Sequence, residues 1–258
     1  MRTQEMRLIR GGASRRVWWG MNLPPWSAII PPLPDLPVRS PRTVYHVGDL
    51  TGPPKTAHES LEGPGLSVSL HPEEWSEIAG LGGAETWALD APTNAAGFVD
   101  LHALTDLHRV LLRRIAQDAH LVRVGAQWEV RWWDSEIENT CASYWATEAE
   151  AVAEAGDEGH ELRQITGLFP EPALTAWWAR RLTGPIDLTV VEDMAILAIL
   201  EASGRWAGAW WAEHLDPDAY SAPRGVIFPS QVARWKYRHV TEAPAPEPPK
   251  AIGRRRGR

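Results

Sequence analysis

Two hydrophobic periods take turns along this chain. Thr43 to Gly48 reads as a strand, with Val44 and His46 on one face and Tyr45 and Val47 on the other. Leu66 to Leu70 alternates in the same way, after the glycine-punctuated turn Glu62-Gly63-Pro64-Gly65. Pro72-Glu73-Glu74 then suits a first helical turn that carries on to about Leu81, acidic at the positive end of the helix dipole. Thr86 to Leu89 predicts a third strand. Asp100 to Ala119 carries the clearest helical period, with Asp100 as cap and Leu101, Leu104, Leu107, Leu111 and Ile115 as the apolar face.

Further on, Trp128 to Trp132 alternates like a half-exposed strand, and Thr147-Glu148-Ala149-Glu150 fits a capping box opening a helix that stops near Gly156. Pro172 to Leu182 predicts a helix with Leu174, Trp177, Trp178 and Leu182 on one side, ended by Gly184-Pro185. Ile186 to Val191 reads as a strand, and Glu192 to Ala202 as a helix with Met194, Leu197 and Leu200 in the core. Strands follow at Ala209 to Glu213, Val226 to Phe228 and Ala233 to Val240. Short strands mixed with helices, without a regular βαβ rhythm, predict an α+β fold.

The flanks differ in character. Residues 1–43 hold Leu23-Pro24-Pro25-Trp26 and Ile30-Pro31-Pro32-Leu33-Pro34, which predict an extended Pro/Trp-rich arm that either folds back on the body or awaits a partner. Residues 44–240 form the expected single domain. Residues 241–258, rich in Pro, Ala and Glu and then in Arg, predict a disordered basic tail. The arm carries +5 and the tail +3, so the net charge of −7 leaves −15 on the domain between them. An acidic body argues against a globular surface built to hold nucleic-acid phosphates, though the basic ends could graze one. No apolar run of eighteen residues predicts a membrane span, and the single Cys141 excludes an internal disulfide. The expected compartment is the cytoplasm. No G-x-G-x-x-G, P-loop or G-x-S-x-G motif occurs. His102 and His108 are six apart rather than four, so no metal site is expected on that helix.

The candidate chemistry gathers around Tyr45-His46-Val47-Gly48. An imidazole on a strand, with glycines nearby and a carboxylate such as Glu213 on a late strand, suits a cleft for a polar ligand. A neutral His can donate to a ribose hydroxyl, and a Glu can stabilise an oxocarbenium-like transition state. Tryptophan and tyrosine supply stacking faces.

The Tyr-His-Val-Gly start, the Gly65-Leu66-Ser67-Val68-Ser69 strand before Pro-Glu-Glu-Trp, and the late Gly225-Val226-Ile227-Phe228-Pro229-Ser230-Gln231-Val232 strand together resemble the ADP-ribosyltransferase fold. That resemblance implies a split, mainly antiparallel sheet with flanking helices, around a nicotinamide pocket. It implies NAD as co-substrate and a macromolecular acceptor, protein or nucleic acid, in a toxin-like or mobile-element setting. His46 would orient the NAD ribose, Gly48, Gly65, Ser67 and Ser69 would line the pocket, and Glu213 would be the catalytic carboxylate. Ser67 or Ser69 stands where one branch of the family has Tyr, and Arg224 stands where the late Glu is expected. The other reading is a non-enzymatic protein that docks a partner through its arm and tail, with paired tryptophans as anchors.

Overall fold

The computed structural model describes residues 6–10, 13–17, 23–50, 55–56, 62–78, 80–136, 138–156, 159–211 and 224–240. It opens with an antiparallel hairpin, β1 (Met6–Arg10) and β2 (Ala13–Val17). The Pro-rich segment after it folds back on the body. Trp26, Leu33 and Leu36 are buried in the main core, and β3 (Val38–Arg39) joins a sheet. Trp18 and Trp19 lie outside the described residues. The expected tail, 241–258, also lies outside them.

The next elements are β4 (Thr43–Val47), β5 (Lys55–Thr56), β6 (Leu66–Val68), α1 (Pro72–Ile78), β7 (Thr86–Asp90) and β8 (Phe98–Asp100). The expected helix start at Asp100 is corrected here. Asp100 ends β8; its carboxylate accepts from Arg39 Nε at 2.6 Å and from the amides of His102 and Ala103. The helix α2 (Asp106–Asp118) begins six residues later, in a box in which Thr105 Oγ1 accepts from His108 N. Its buried face is Leu112, Ile115 and Ala116, while Leu107 is 75% exposed and Leu111 also faces outward. Both Asp100 and Thr105 are good caps. Pairing of β8 decides between them.

A long strand, β9 (Val122–Asp134), follows, with β10 (Asn139–Trp145) and β11 (Glu161–Pro170) on either side of it. Between β10 and β11 runs α3 (Glu148–Ala155), which has the expected Thr147/Glu150 capping box and ends at Gly156. Then come α4 (Pro172–Trp178) and β12 (Leu182–Thr183), which pairs in parallel with β5. The strand expected from Ile186 to Val191 is instead a 3-10 turn, Leu188–Val190, running into α5 (Val191–Ser203). Asp187 Oδ1 accepts from Thr189 N at 2.8 Å, and this local side-chain bond tightens the chain into a turn. Last are β13 (Gly208–Trp210), β14 (Gly225–Ile227) and β15 (Lys236–Val240).

The architecture is α+β with mainly antiparallel sheets, and it is split. Five strands run in the order β3-β8-β13-β14-β6, with only β8 and β13 parallel to each other. A three-stranded sheet runs β15-β7-β4. The two meet at one bridge, Tyr45 with Ser69, whose backbones exchange two 2.8 Å hydrogen bonds. Side chains of the five strands alternate between two cores. Val99, Ala209 and Val226 face the core that holds α2, α4 and α5. Phe98, Trp210 and Ile227 face Val44, Trp87 and Leu89 of the smaller sheet. Strands buried on both sides must be apolar throughout, which is why Gly225-Val226-Ile227-Phe228 carries no alternation. The helix α5 is buried almost all round for the same reason and ends on Gly204 at φ 66°, a left-handed cap.

The β10-β9-β11 sheet packs Val130, Trp128, Trp132 and Leu162 against Ala151 and Ala155 of α3. Its other face holds a buried carboxylate, Glu129, which accepts from Arg163 Nε, with Arg131 Nε 3.8 Å away. The Arg163 hydrogen bond holds the Glu129 carboxyl below the usual carboxylate range, against the opposing pull of burial. Burial, and then the charge of Glu129, push the Tyr144 phenol up. A depressed carboxyl stabilises the fold in its ionised form. That increment is present above the unfolded pKa of about 4.3 and is lost as pH falls through the lower folded value. Urea midpoints at pH 6 and pH 3 test this. Wild type should lose more stability between them than Glu129→Gln does, and equal losses would refute the assignment.

Candidate active site at the sheet split

The site is built where the two sheets part. His46 sits one residue beyond the Tyr45–Ser69 bridge, is buried, and has its Nδ1 2.8 Å from the Ser67 carbonyl oxygen. A carbonyl only accepts, so Nδ1 carries the hydrogen, and in the neutral ring Nε2 is the acceptor. The sequence expectation of a His that donates to a ribose hydroxyl is therefore reversed: the neutral ring would accept from it. The imidazole spans the gap where a backbone ladder would have continued, so the side chain itself holds the split at this point. In register, His46 and His239 both stand opposite Trp87, and the three form a row on one face of the smaller sheet. His239 meets the Trp87 ring edge-on at 5.2 Å.

Gly48 leaves β4 at φ 124°, a conformation that glycine adopts without strain, and its N–H donates to Glu85 O at 2.8 Å. A Cβ here would meet His46 Nε2 at 3.6 Å. Gly65 has a different task. A Cβ there would overlap Val226 and the Ile227 carbonyl, so this glycine lets β6 run close against β14. The side chains of Ser67 and Ser69 are both buried, and Ser69 Oγ accepts from His71 N at 2.9 Å, closing the turn into α1. His46, Gly48, Ser67 and Ser69 are thus neighbours around the bridge. Glu213 lies outside the described residues.

Sequence reasoning missed a carboxylate. Glu62, just ahead of the Gly63-Pro64-Gly65 turn, is buried and accepts from Arg224 Nη1 at 3.3 Å. The Arg224 guanidinium also lies 5.6 Å from the centre of the Trp75 ring, within cation–π range. The arginine in the place of the expected late Glu is therefore matched by a Glu from the opening turn. The only local signal was an acidic residue beside a glycine turn. Its partner is 162 positions away.

Beside Gly48 opens a cavity of about 860 Å³, bounded by α1, by residues 80–85 and by the end of β15. Glu73, Glu77, Glu85 and His239 are among its lining residues. Three carboxylates repel a pyrophosphate, so this cavity does not suit an anionic dinucleotide. Among the described residues, no group of three or more His, Cys, Asp or Glu could hold a metal ion, and no helix is long and apolar enough to cross a membrane. No protein-family model, curated protein or solved structure matches this chain, and the site stands on its own geometry.

Proposed function

We propose that this chain is an ADP-ribosyltransferase-like protein that binds NAD at the split between β4 and β6 and passes ADP-ribose to a macromolecular acceptor. The observation that carries the reading is the His46 side chain bonded to the Ser67 carbonyl across the split, directly beside the Tyr45–Ser69 bridge. That bond fixes the ring's tautomer and orientation before any ligand arrives, so little entropy is lost on binding. Nε2 then accepts from a ribose hydroxyl. In the transfer, the bond from the ribose carbon to nicotinamide breaks and nicotinamide leaves with the bonding pair. The acceptor's nucleophile then forms the new bond and gives up its proton. A carboxylate near the cationic ribose lowers that barrier. Glu213, the carboxylate that the resemblance implies, and Glu62, buried against Arg224, are the two candidates.

The rival reading, docking through the arm and paired tryptophans, has less support. Trp26, Trp177, Trp178 and Trp210 are all in the core, whereas Trp133 is 64% exposed. Calorimetry with NAD tests the proposal. Wild type should bind, and both His46→Ala and His46→Asn should bind at least about tenfold more weakly, the loss of one buried hydrogen bond. An asparagine amide can still donate to Ser67 O, so His46→Asn should keep the wild-type melting temperature while losing the ligand. Absence of NAD affinity in wild type at millimolar ligand defeats the proposal.

A further inference from the structure

The helix α2 carries apolar side chains that the core does not take. Its buried residues are Leu112, Ile115 and Ala116, whereas Leu107, Val110 and Leu111 are 75%, 59% and 37% exposed. Leu107 and Leu111 belong to the apolar period that marks this helix in the sequence, yet they face outward. Residues three and four apart are neighbours on a helix surface, so the three form one patch. Single apolar side chains at a surface need no explanation, but a contiguous patch marks an interaction surface.

The charges around the patch say what covers it. Arg109 donates to Leu101 O at 3.1 Å and pairs with Asp193, and Arg113 pairs with Glu192, so both arginines are committed to α5 and the turn after β8. Asp106 and Arg114 are exposed, and among the described residues neither is in an ion pair. They stand four residues before and four residues after Val110. Four residues overshoot one helical turn by about 40°, so both charges flank the line of Val110. A second α2 laid antiparallel, about a twofold axis at Val110, sets valine on valine. It brings each Asp106 level with Arg114 of the other copy and each Leu107 beside the other copy's Leu111. A face whose charges reverse about its own midpoint is complementary to itself, which is what an isologous contact requires.

We propose that the exposed face of α2 is a homodimer contact, in which Leu107, Val110 and Leu111 of two copies pack antiparallel between two Asp106–Arg114 ion pairs. This face is separate from the residues assigned to NAD, so the inference is independent of that reading. Thirteen helical residues make a strip about 20 Å long and about 10 Å wide. Such a strip buries less than the roughly 800 Å² a side of a standard interface, so the dimer is weak and forms at micromolar concentrations and above.

Sedimentation equilibrium of the full chain, at concentrations rising to millimolar, tests the proposal. Wild type should pass from monomer to dimer. Asp106→Arg and Arg114→Asp each turn both ion pairs into like-charge contacts, so each variant alone should associate at least about tenfold more weakly. In a mixed dimer of the two variants both contacts are opposite in charge again, and an equimolar mixture should associate as wild type does. Val110→Lys should abolish association. All three positions are exposed, so every variant should keep the wild-type melting temperature, which shows that its fold is intact. A wild type that stays monomeric at millimolar concentration overturns the proposal and would mean that a different partner, or another stretch of this chain, covers the face. A dimer that survives Val110→Lys overturns it by placing the contact elsewhere. So does a mixture that associates no better than its two parts.

Discussion

Glu201→Ala should lower the unfolding free energy by about 3–5 kcal/mol, the range for removing one partner of a buried polar cluster. Glu201 is buried in α5, inside an otherwise apolar run. It accepts from the indole N–H of Trp177 and from Ser230 N at 3.0 Å, and it stands 3.6 Å from Arg180. One carboxylate therefore ties α4, α5 and the turn after β14 together. Alanine leaves two buried donors without an acceptor, each costing about 1–3 kcal/mol. It also strips the counter-charge from Arg180, whose pKa burial already lowers. Glu201→Gln keeps an acceptor and should cost roughly half as much. Denaturant titration of the three proteins measures the series. An alanine variant within about 0.5 kcal/mol of wild type, the range of an ordinary surface change, would remove Glu201 from this role.

Gly208→Ala should cost about 3 kcal/mol or abolish soluble expression, the upper end for overpacking a filled core. Gly208 lies in β13 between β8 and β14. A Cβ would overlap the Val226 carbonyl and stand 2.9 Å from the Phe98 ring. The carbonyl belongs to a ladder and Phe98 is locked edge-on against Trp210 at 5.6 Å, so neither can yield cheaply. Gly82 is the control, because a Cβ there meets nothing within 4 Å. Gly82→Ala should change stability by less than about 0.5 kcal/mol or raise it slightly. Equal melting temperatures for both variants would show that β13 tolerates the added methyl.

Legibility followed the range of the interactions. The helix α3 is readable because everything that starts and stops it lies within ten residues, from Thr147 through Glu150 to Gly156. Its neighbour α2 was misread at its start. Leu101 and Leu104 continue the apolar period, but they belong to the turn after β8 and reach the core from there. The strands β10 and β11 were passed over because their polar and small residues, such as Asn139-Thr140-Cys141-Ala142-Ser143, carry little β signal. They form because β9 offers both of them a long template. At the site, His46, Gly48, Ser67 and Ser69 were legible as a neighbourhood. The tautomer of His46, the partner of Arg224 and the steric task of Gly65 were not.

By itself the sequence determined the α+β class, the strand carrying His46, the glycine turn before Ser67 and the acidic start of α1. Each depends on periodicity, caps or backbone freedom within a few residues. The tertiary structure alone decided that β4 and β6 touch at one bridge and then part, with His46 filling the gap. It also brought Glu62 to Arg224. The physical reason is that strand order and buried charge pairing join residues far apart in the chain, through hydrogen bonds that carry no local pattern.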